Sequence, residues 1–265
     1  MIITSLADNE CCQECCPEHG LSLHVRLDCG KEILFDMGQG RLFADNAERL
    51  GIDLSRVDMA VVSHGHYDHG GGLETFLGHN DKAAVYVRET AFGRHSSIKE
   101  YGLKDIGITL PDTERMVFCK DLEQLPFGAV LFSNPERVFP EPDGNRLLLG
   151  PDGKADDFSH EQNMIIREGS NAVLFGGCAH RGIVNIVSKA QQITGNAITH
   201  VLSGTHIGKG SLDDSYTDLV AEKLLAFDGI MYYTMHCTGA EGFRKLKDRM
   251  SDRISYLRCG ESLKI

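Results

Sequence analysis

Three observations in the sequence predict an α/β or α+β sandwich, in which sheets are covered by helices. The apolar runs are many and short, rich in Val, Ile and Phe, and bounded by Gly, Asp or Asn, as strands usually are. Segments with helical periodicity lie between several of these runs. Strand-like runs dominate the first part of the chain, whereas strands and helices alternate after Gly169.

The predicted elements follow the chain in order. The strands are predicted at Ile2–Leu6, Leu23–Leu27, Glu32–Phe35, Met59–Val62, Ala83–Val87, Ala129–Phe132, Met164–Arg167, Ala172–Phe175, Ile198–Leu202 and Ile230–Tyr233. The helices are predicted at Leu42–Leu50, Leu73–Leu77, Ile183–Ile193, Leu219–Ala226 and Glu241–Met250. Because no Ser/Gly-rich linker divides the chain, we expect a single domain over residues 1–265. The irregular, proline-bearing segment at about 94–160 is interpreted as a lid or insertion.

Composition restricts the class of protein. Hydrophobic residues make up 42% and charged residues 25%, and the net charge of −11 argues against nucleic-acid or anionic-membrane partners. No apolar run approaches the roughly 18 residues of a membrane span, and the N-terminus does not resemble a signal peptide. The nine cysteines fit a reducing compartment. We therefore expect a cytoplasmic protein, and the sequence leaves open whether it is a monomer or a homo-oligomer.

The densest polar cluster is SHGHYDHGGG, residues 63–72, which follows a strand-like run and precedes a helix-like segment. The carboxyl end of a strand is where α/β proteins commonly place ligands. The imidazoles of His64 and His66 can meet one metal ion, and Asp68 and His69 then point to a second ion. A solvated turn with accidental histidines is the alternative, and the H-x-H-x-D-H spacing disfavours it.

Three later histidines occupy the same kind of position, each just past a predicted strand. They are His180 in FGGCAH, His206 in SGTHIG and His236 in TMHCTG. This shared placement would gather them at one edge of the sheets. A hydrogen-bonded loop histidine is the alternative for each, and it stays open most clearly for His206.

The cluster and the later histidines resemble the metallo-β-lactamase superfamily. Further motifs are similar to one branch, the dihydropteroate-synthase-related metallo-hydrolases of methanopterin synthesis. These motifs are EHGLS at 18–22, LFDMG at 34–38, FSHEQN at 158–163, GCAHRGIVNI at 177–186 and HCTG at 236–239. The resemblance extends from Ile2 to about Met250.

The resemblance implies a four-layer αββα sandwich with two mixed sheets and two divalent metal ions at the edge between them. The ions are expected to be zinc, with iron or manganese as alternatives. It assigns His64, His66 and His180 to the first ion. It assigns Asp68, His69 and His236 to the second ion.

Two further positions follow from the resemblance. Many relatives carry a bridging aspartate behind a glycine, whereas here Gly204 is followed by Thr205 and His206. His206 is therefore expected to bind one ion, to orient a ligand or to contact substrate, and the number of ions stays open. Asp36 is expected to support the ligand loop by hydrogen bonds without touching the metals.

The expected function is hydrolysis of a small molecule, such as a phosphoester or a pterin-related compound, by attack of a metal-bound hydroxide. Asp68 is expected to act as a catalytic proton acceptor as well as a ligand. His19, Asp157, His160 and Glu161 are candidates for the substrate pocket. For the last three, a polar loop with a helix-capping aspartate is the alternative.

Two other functions remain open at this point. An iron-dependent oxygenase of the persulfide-dioxygenase type shares H-x-H-x-D-H and predicts bound iron and O₂ consumption, although the missing bridging aspartate counts against it. A non-catalytic metal-binding protein is the third alternative. Separately, CCQECC at 11–16 is interpreted as reduced thiols in a loop, with metal binding or redox cycling as alternatives.

Overall fold

The computed structural model describes residues 1–12, 14–207 and 214–265. Within these ranges the helices are α1 (Leu42–Arg49), α2 (Tyr67–Gly70), α3 (Leu73–His79), α4 (Ile183–Thr194), α5 (Asp214–Leu225) and α6 (Gly239–Met250). The strands of the first part are β1 (Ile2–Ala7), β2 (Ser22–Arg26), β3 (Glu32–Phe35), β4 (Met59–Val61), β5 (Ala84–Val87), β6 (Ser96–Lys99), β7 (Gly102–Asp105), β8 (Met116–Phe118) and β9 (Leu122–Gln124). The later strands are β10 (Ala129–Ser133), β11 (Leu148–Leu149), β12 (Gln162–Glu168), β13 (Asn171–Phe175), β14 (His200–Leu202), β15 (Met231–Thr234), β16 (Ile254–Tyr256) and β17 (Ser262–Lys264).

Two large mixed sheets form the centre of the protein. The first has the strand order β17-β1-β2-β3-β4-β5-β8, and the second has the order β16-β15-β14-β13-β12-β10-β9. Strands β3, β4, β5 and β8 are parallel neighbours in the first sheet. Strands β13 to β16 are parallel neighbours in the second. Parallel strands end at the same edge of a sheet, so the loops that follow them can meet.

Alternating side chains on the strands build the layers, because successive residues of a strand point to opposite faces. Phe35 of β3 and Phe175 of β13 point into the core between the sheets, where their ring centroids lie 6.0 Å apart. Leu34 points outward against α1 and α3, and Leu174 points outward against α4, α5 and α6. Burial of one such side chain stabilises the fold by about 1.5–3 kcal/mol. The layers are therefore helix, sheet, sheet and helix, and the predicted αββα sandwich is confirmed.

Every predicted strand and helix is present, with ends that differ by a few residues. The sequence did not predict α2, β6 to β9, β11, β16 or β17. These elements are two to four residues long; β7 is exposed over its whole length, and β8 and β9 are mostly exposed. Such segments carry too few apolar residues for a period to be read. None of the described helices combines the length and apolarity that a membrane span requires.

The irregular segment at 94–160 has two parts. Strands β8, β9 and β10 extend the edges of the two large sheets. Strands β6, β7 and β11 instead form a separate three-stranded sheet of order β11-β6-β7. This small sheet is the part of the segment that borders the candidate site.

Candidate metal centre

The loops that follow five strands meet at one edge of the sandwich. Asp36 follows β3, the cluster at 63–69 follows β4, His180 follows β13, His206 follows β14 and His236 follows β15. The histidines at 64, 66, 69, 180, 206 and 236 and the carboxylates of Asp36 and Asp68 are all buried. The topology thus brings together every residue that the sequence predicts as a metal ligand.

His64 lies at the centre of the histidine cluster. Its ring centroid is 4.5 Å from that of His66, 4.1 Å from that of His69 and 5.0 Å from that of His180. The His66 and His180 rings are 4.9 Å apart. The three predicted ligands of the first ion are therefore mutual neighbours. His206 lies beside them, with its ring 4.5 Å from that of His180.

The predicted ligands of the second ion form an adjoining group. The Nε2 atom of His236 is 3.4 Å from Oδ2 of Asp68, and the His69 and His236 rings are 4.9 Å apart. Asp68 stays ionised: burial alone would raise its pKa, but hydrogen bonds with His19 and His236 outweigh burial and hold the pKa well below its usual range.

Cys178 lies where the two groups join. Its sulfur belongs to one set of ligand atoms with His64 and His180, and to another with His69 and His236, each set lying within 4.8 Å. The distance from His69 Nε2 to Cys178 Sγ is 3.2 Å. A thiolate is a good ligand for zinc and can contact two ions. The sequence analysis looked for a bridging group behind Gly204, whereas Cys178 stands two residues before His180, where sequence alone places it only beside a predicted ligand.

The side chains fit a divalent cation. Burial holds the pKa values of His64, His66 and His180 well below the ordinary range, and it lowers that of His236 to about 3. Neutral imidazole is the form that binds a metal. Among the described residues, Nε2 of His66 and Nε2 of His180 are buried without a hydrogen-bond partner. A buried polar atom without a partner is costly, and a metal ion would satisfy both nitrogens.

Asp36 orients one ligand of each group. Its carboxylate accepts hydrogen bonds from the backbone N–H and the hydroxyl of Ser63, both at 2.7 Å, and from His69 Nδ1 at 2.6 Å. The Ser63 hydroxyl in turn lies 2.9 Å from His64 Nδ1. These contacts assign the proton to Nδ1 in both histidines, so that Nε2 of each is free to bind a metal.

Different residues orient His180. Asn145 Oδ1 lies 2.9 Å from Nδ1 of His180, and the Asn145 amide donates to the His180 carbonyl at 2.7 Å. Glu161 accepts the backbone N–H groups of His180 at 2.7 Å and Arg181 at 3.0 Å. The ring also stacks on Phe158, with centroids 4.5 Å apart.

His236 is held by the segment that follows β1. Asn9 Oδ1 lies 2.9 Å from Nδ1 of His236, and the Asp8 carboxylate accepts the His236 backbone N–H. Burial raises the pKa of Asp8 to about 6. As at His180, the contact at Nδ1 leaves Nε2 directed at the metal group. Sequence reasoning gave no signal for Asn9 or Asn145, because both are polar loop residues far from the ligands in sequence.

Of the four residues expected at the substrate pocket, His19 lines the cavity beside the histidine cluster, and the other three lie outside its lining. Glu161 is buried beneath the turn of His180, where it binds backbone N–H groups. Asp157 is exposed, and its carboxylate accepts the backbone N–H of Ser159. His160 is buried, and its ring packs against that of His66 with centroids 5.4 Å apart. His19, the fourth, lines the cavity, and its Nε2 is 3.1 Å from Oδ2 of Asp68.

His160 belongs to a buried triad behind His66. Its Nδ1 accepts the backbone N–H of Gly65 at 3.0 Å, which assigns the proton to Nε2, 3.3 Å from Asp156. The same Asp156 oxygen lies 2.9 Å from His95 Nδ1. Burial alone would raise the pKa of Asp156, but the hydrogen bonds from His160 and His95 outweigh it and lower the pKa. The sequence analysis missed both Asp156 and His95.

A cavity of about 410 Å³ opens above the cluster. Its floor includes His66, Asp68, Cys178, His180 and His206. Its rim comes from the small sheet and the turn that precedes β11, and includes Ser97, Lys99, Lys104, Ile106, Leu147 and Leu148. The cavity therefore joins a floor of candidate metal ligands to a rim with both cationic and apolar groups.

Comparisons with known proteins agree with this geometry. The family model described as the metallo-beta-lactamase superfamily matches residues 17–178. Two curated relatives come from Methanocaldococcus jannaschii. The uncharacterized protein MJ0448 is 28% identical, with 92% of this chain and 93% of that protein covered. The 7,8-dihydropterin-6-methyl-4-(beta-D-ribofuranosyl)-aminobenzene-5'-phosphate synthase is 24% identical, with 93% and 90% covered.

Solved structures of similar fold include proteins of the same superfamily. Tm1679, described as a metal-dependent hydrolase of the beta-lactamase superfamily, is 26% identical with a TM-score of 0.85, over 100% of this chain and 99% of that one. A diphosphatase from the PhnP family, 17% identical with a TM-score of 0.53 over 100% and 97% of the two chains, shares the fold. The family match covers more than half of the sequence and includes the whole H-x-H-x-D-H cluster, so the chain belongs to the metallo-β-lactamase superfamily.

Proposed function

We propose that the protein is a metal-dependent hydrolase that acts on a small anionic molecule, with phosphoesters as the first class to test. One observation carries the proposal. The cavity of about 410 Å³ has a floor of histidines, an aspartate and a cysteine, and a rim with two lysines. The floor supplies metal ligands and the rim supplies a complement for substrate charge.

Two divalent ions, expected to be zinc, are part of the proposal. His64, His66 and His180 would hold the first, Asp68, His69 and His236 the second, and Cys178 would contact both. Ions bound there would polarise a substrate oxygen and lower the pKa of bound water towards about 7. His206 would complete the wall beside His180 or bind the first ion.

The chain's own residues offer a route for the proton. Asp68 Oδ2 is an ionised acceptor, and His19 Nε2 lies 3.1 Å from it. His19 is half-buried and lines the cavity, so it separates Asp68 from solvent. We assign Asp68 to accept a proton from the attacking water and His19 to hold the carboxylate in position.

The rim lysines support the choice of an anionic substrate. Lys104 Nζ lies 3.3 Å from the Tyr67 hydroxyl and 4.6 Å from the ring centroid, which holds the ammonium group at the cavity. Lys99 comes from the neighbouring strand of the same hairpin. On a chain of net charge −11, this local pair of cations favours an anion at the cavity. The apolar Leu147 and Leu148 would contact the rest of the substrate.

The central test combines metal quantification with an activity panel of phosphodiesters, phosphomonoesters, lactones and persulfides. We expect close to two divalent ions per chain and turnover of at least one ester class. The His66→Ala variant should lose that turnover while remaining folded. A folded, active protein without metal would overturn the proposal. Persulfide-dependent O₂ consumption by an iron-loaded protein would instead support the oxygenase.

Substrate charge is tested with the Lys99→Gln/Lys104→Gln double variant. Its KM for a phosphodiester should rise by about tenfold with little change in kcat, because lost uniform binding raises KM alone. Turnover of a neutral lactone should be unaffected. Lys82→Gln is the matched control, since Lys82 lies near Asp58 and away from the cavity. Equal losses for charged and neutral substrates would contradict an anionic substrate.

A further inference from the structure

The cysteine motif at 11–16 folds into a turn against the segment before β17. The Cys15 N–H donates to the Cys12 carbonyl at 3.3 Å, which holds the two cysteines close together. The Cys12 N–H donates to the Cys259 carbonyl at 2.9 Å, and the Cys259 N–H donates to the Glu10 carbonyl at 2.9 Å. The turn is therefore fixed to a part of the chain that is remote in sequence.

Two thiols of this turn lie close together. Cys12 Sγ and Cys15 Sγ both lie against the Cα of Gly260. Gly260 makes room for them: a Cβ atom there would lie 2.2 Å from Cys12 Sγ and 3.0 Å from Cys15 Sγ. The φ of Gly260 is +87°, which also favours glycine. Both sulfurs thus share one small space.

The accessibility of the two thiols differs. Cys12 is partly exposed, whereas Cys15 is buried with 7% of its surface accessible. Burial raises the pKa of Cys15. This arrangement suits an outer thiol that reacts first and an inner thiol that reacts with it.

A metal site explains the turn less well. Adjacent cysteines such as Cys11 and Cys12 point apart in most backbones. Within the described ranges, sets of three or more metal-ligating atoms within 4.8 Å occur around the histidine cluster, and the thiols of this turn form no such set. The geometry favours chemistry between two sulfurs.

We propose that Cys12 and Cys15 form a dithiol site that reacts reversibly with small disulfides, and that its state is coupled to the second ion of the metal centre. The thiolate of Cys12 attacks one sulfur of a disulfide RSSR, forming a Cys12–S–S–R bond and releasing RS⁻, which takes up a proton. Cys15 then attacks the Cys12 sulfur, forming the Cys12–Cys15 bond and releasing a second RSH. Two electrons and two protons pass from the protein to RSSR.

The coupling follows from what flanks the turn and rests on the proposed function. On one side, Asp8 and Asn9 hold His236. On the other side, His19 contacts Asp68. The Glu18 N–H donates to the Asp8 carbonyl at 3.1 Å and joins the two flanks. A change at the thiols therefore has a short path to two of the three proposed ligands of the second ion, His236 and Asp68.

The first experiment treats the metal-loaded protein with glutathione disulfide and follows intact mass and peptide maps. We expect the loss of two hydrogens and a Cys12–Cys15 link that dithiothreitol reverses. The Cys15→Ser variant should stop at a glutathione adduct on Cys12, and Cys12→Ser should form neither product at this site. Cys29→Ser is the matched control, because Cys29 is exposed and outside the turn. Absence of the link, or extra zinc held by these thiols and lost from Cys12→Ser, would overturn the proposal.

The second experiment measures ion affinity by chelator competition before and after oxidation. We expect oxidation to weaken the second ion at least about fivefold, with recovery on reduction and no effect in Cys12→Ser. Unchanged affinity in the linked protein would overturn the coupling. Mass and affinity are read without turnover, so a failure of the proposed hydrolase activity would be recognised separately.

Discussion

The proposed metal ligands fall into two halves by their position in the sequence, and the two halves are built differently. The first half is contiguous, and the second half comes from separate loops. His64, His66, Asp68 and His69 come from one continuous loop, and one buried carboxylate, Asp36, orients it. His180 and His236 each come from a loop of their own, and each depends on an asparagine remote in sequence.

Because the two halves are supported differently, substitutions of their supporting residues should have different effects on stability and on metal affinity. The first half depends on a charged group with three hydrogen-bond donors, all inside the protein. Its loss leaves buried donors unsatisfied, which affects the fold as well as the metal. In the second half, one asparagine contacts Nδ1 of each ring, and its loss removes that constraint on the ring's orientation and affects mainly the metal.

The largest effect is expected for Asp36→Ala. The backbone N–H and hydroxyl of Ser63 and Nδ1 of His69 would lose their acceptor, so we expect the metal-free protein to lose about 3 kcal/mol or more. Urea unfolding monitored by circular dichroism gives this value. The Asp36→Asn control keeps an acceptor and should lose less. A loss below about 1 kcal/mol for Asp36→Ala would show that the two halves are supported alike.

A pH dependence of the metal-free protein is the next effect. Burial lowers the pKa values of His64, His66, His180 and His236, the last to about 3. The unfolded chain takes up protons below its ordinary pKa near 6.5 and the folded chain does not, so stability falls as the pH drops. The loss in the free energy of unfolding is at most about 1.4 kcal/mol per histidine for each pH unit below 6.5.

His69 opposes this trend within the first half. Burial alone would lower its pKa, but Asp36 outweighs burial and raises it, so its contribution is present below pH 6.5 and declines as the pH rises. Thermal melts of chelator-treated protein at pH 7.5 and 5.5 measure the balance. Excess zinc should reduce the loss at pH 5.5, because the metal binds the neutral rings. Equal stability at both pH values would contradict burial of neutral histidines.

A smaller effect is expected for Asn145→Ala and Asn9→Ala. Each frees one ligand ring, so ion affinity should fall about 10- to 100-fold while stability falls by no more than about 1.5 kcal/mol. Asn145→Ala should weaken the first ion, and Asn9→Ala the second. Chelator competition on each variant measures this, with Asn171→Ala at the start of β13 as control. A loss of stability as large as that expected for Asp36→Ala would contradict the difference between the two halves.

The same contrast explains how much the sequence predicts. The sandwich was predictable because its strands and helices carry strong apolar periods, as Leu34 and Phe35 show by facing opposite layers. The ligands of the first half were predictable because they are contiguous, and those of the second half because each follows a strand. Asn9 and Asn145 were not predictable, because the sequence does not distinguish a loop amide that contacts solvent from one that contacts a buried imidazole. The sequence places Cys178 beside the predicted ligand His180, but its position between the two groups is visible only in three dimensions.

The smallest effect is expected for Asp157→Asn, which is compared with the same change at its neighbour Asp156. Asp156 is held between His95 and His160, and the hydrogen bonds from these rings lower the pKa of its carboxyl group. Asp157 is exposed and caps its own loop. Asp157→Asn should change turnover less than about twofold and stability by less than about 0.5 kcal/mol. Asp156→Asn should cost about 1.5–3 kcal/mol, since it weakens two charge-assisted hydrogen bonds behind His66. Unfolding curves and steady-state kinetics of the two variants measure these effects. A large kinetic effect of Asp157→Asn would support a role for Asp157 in the substrate pocket.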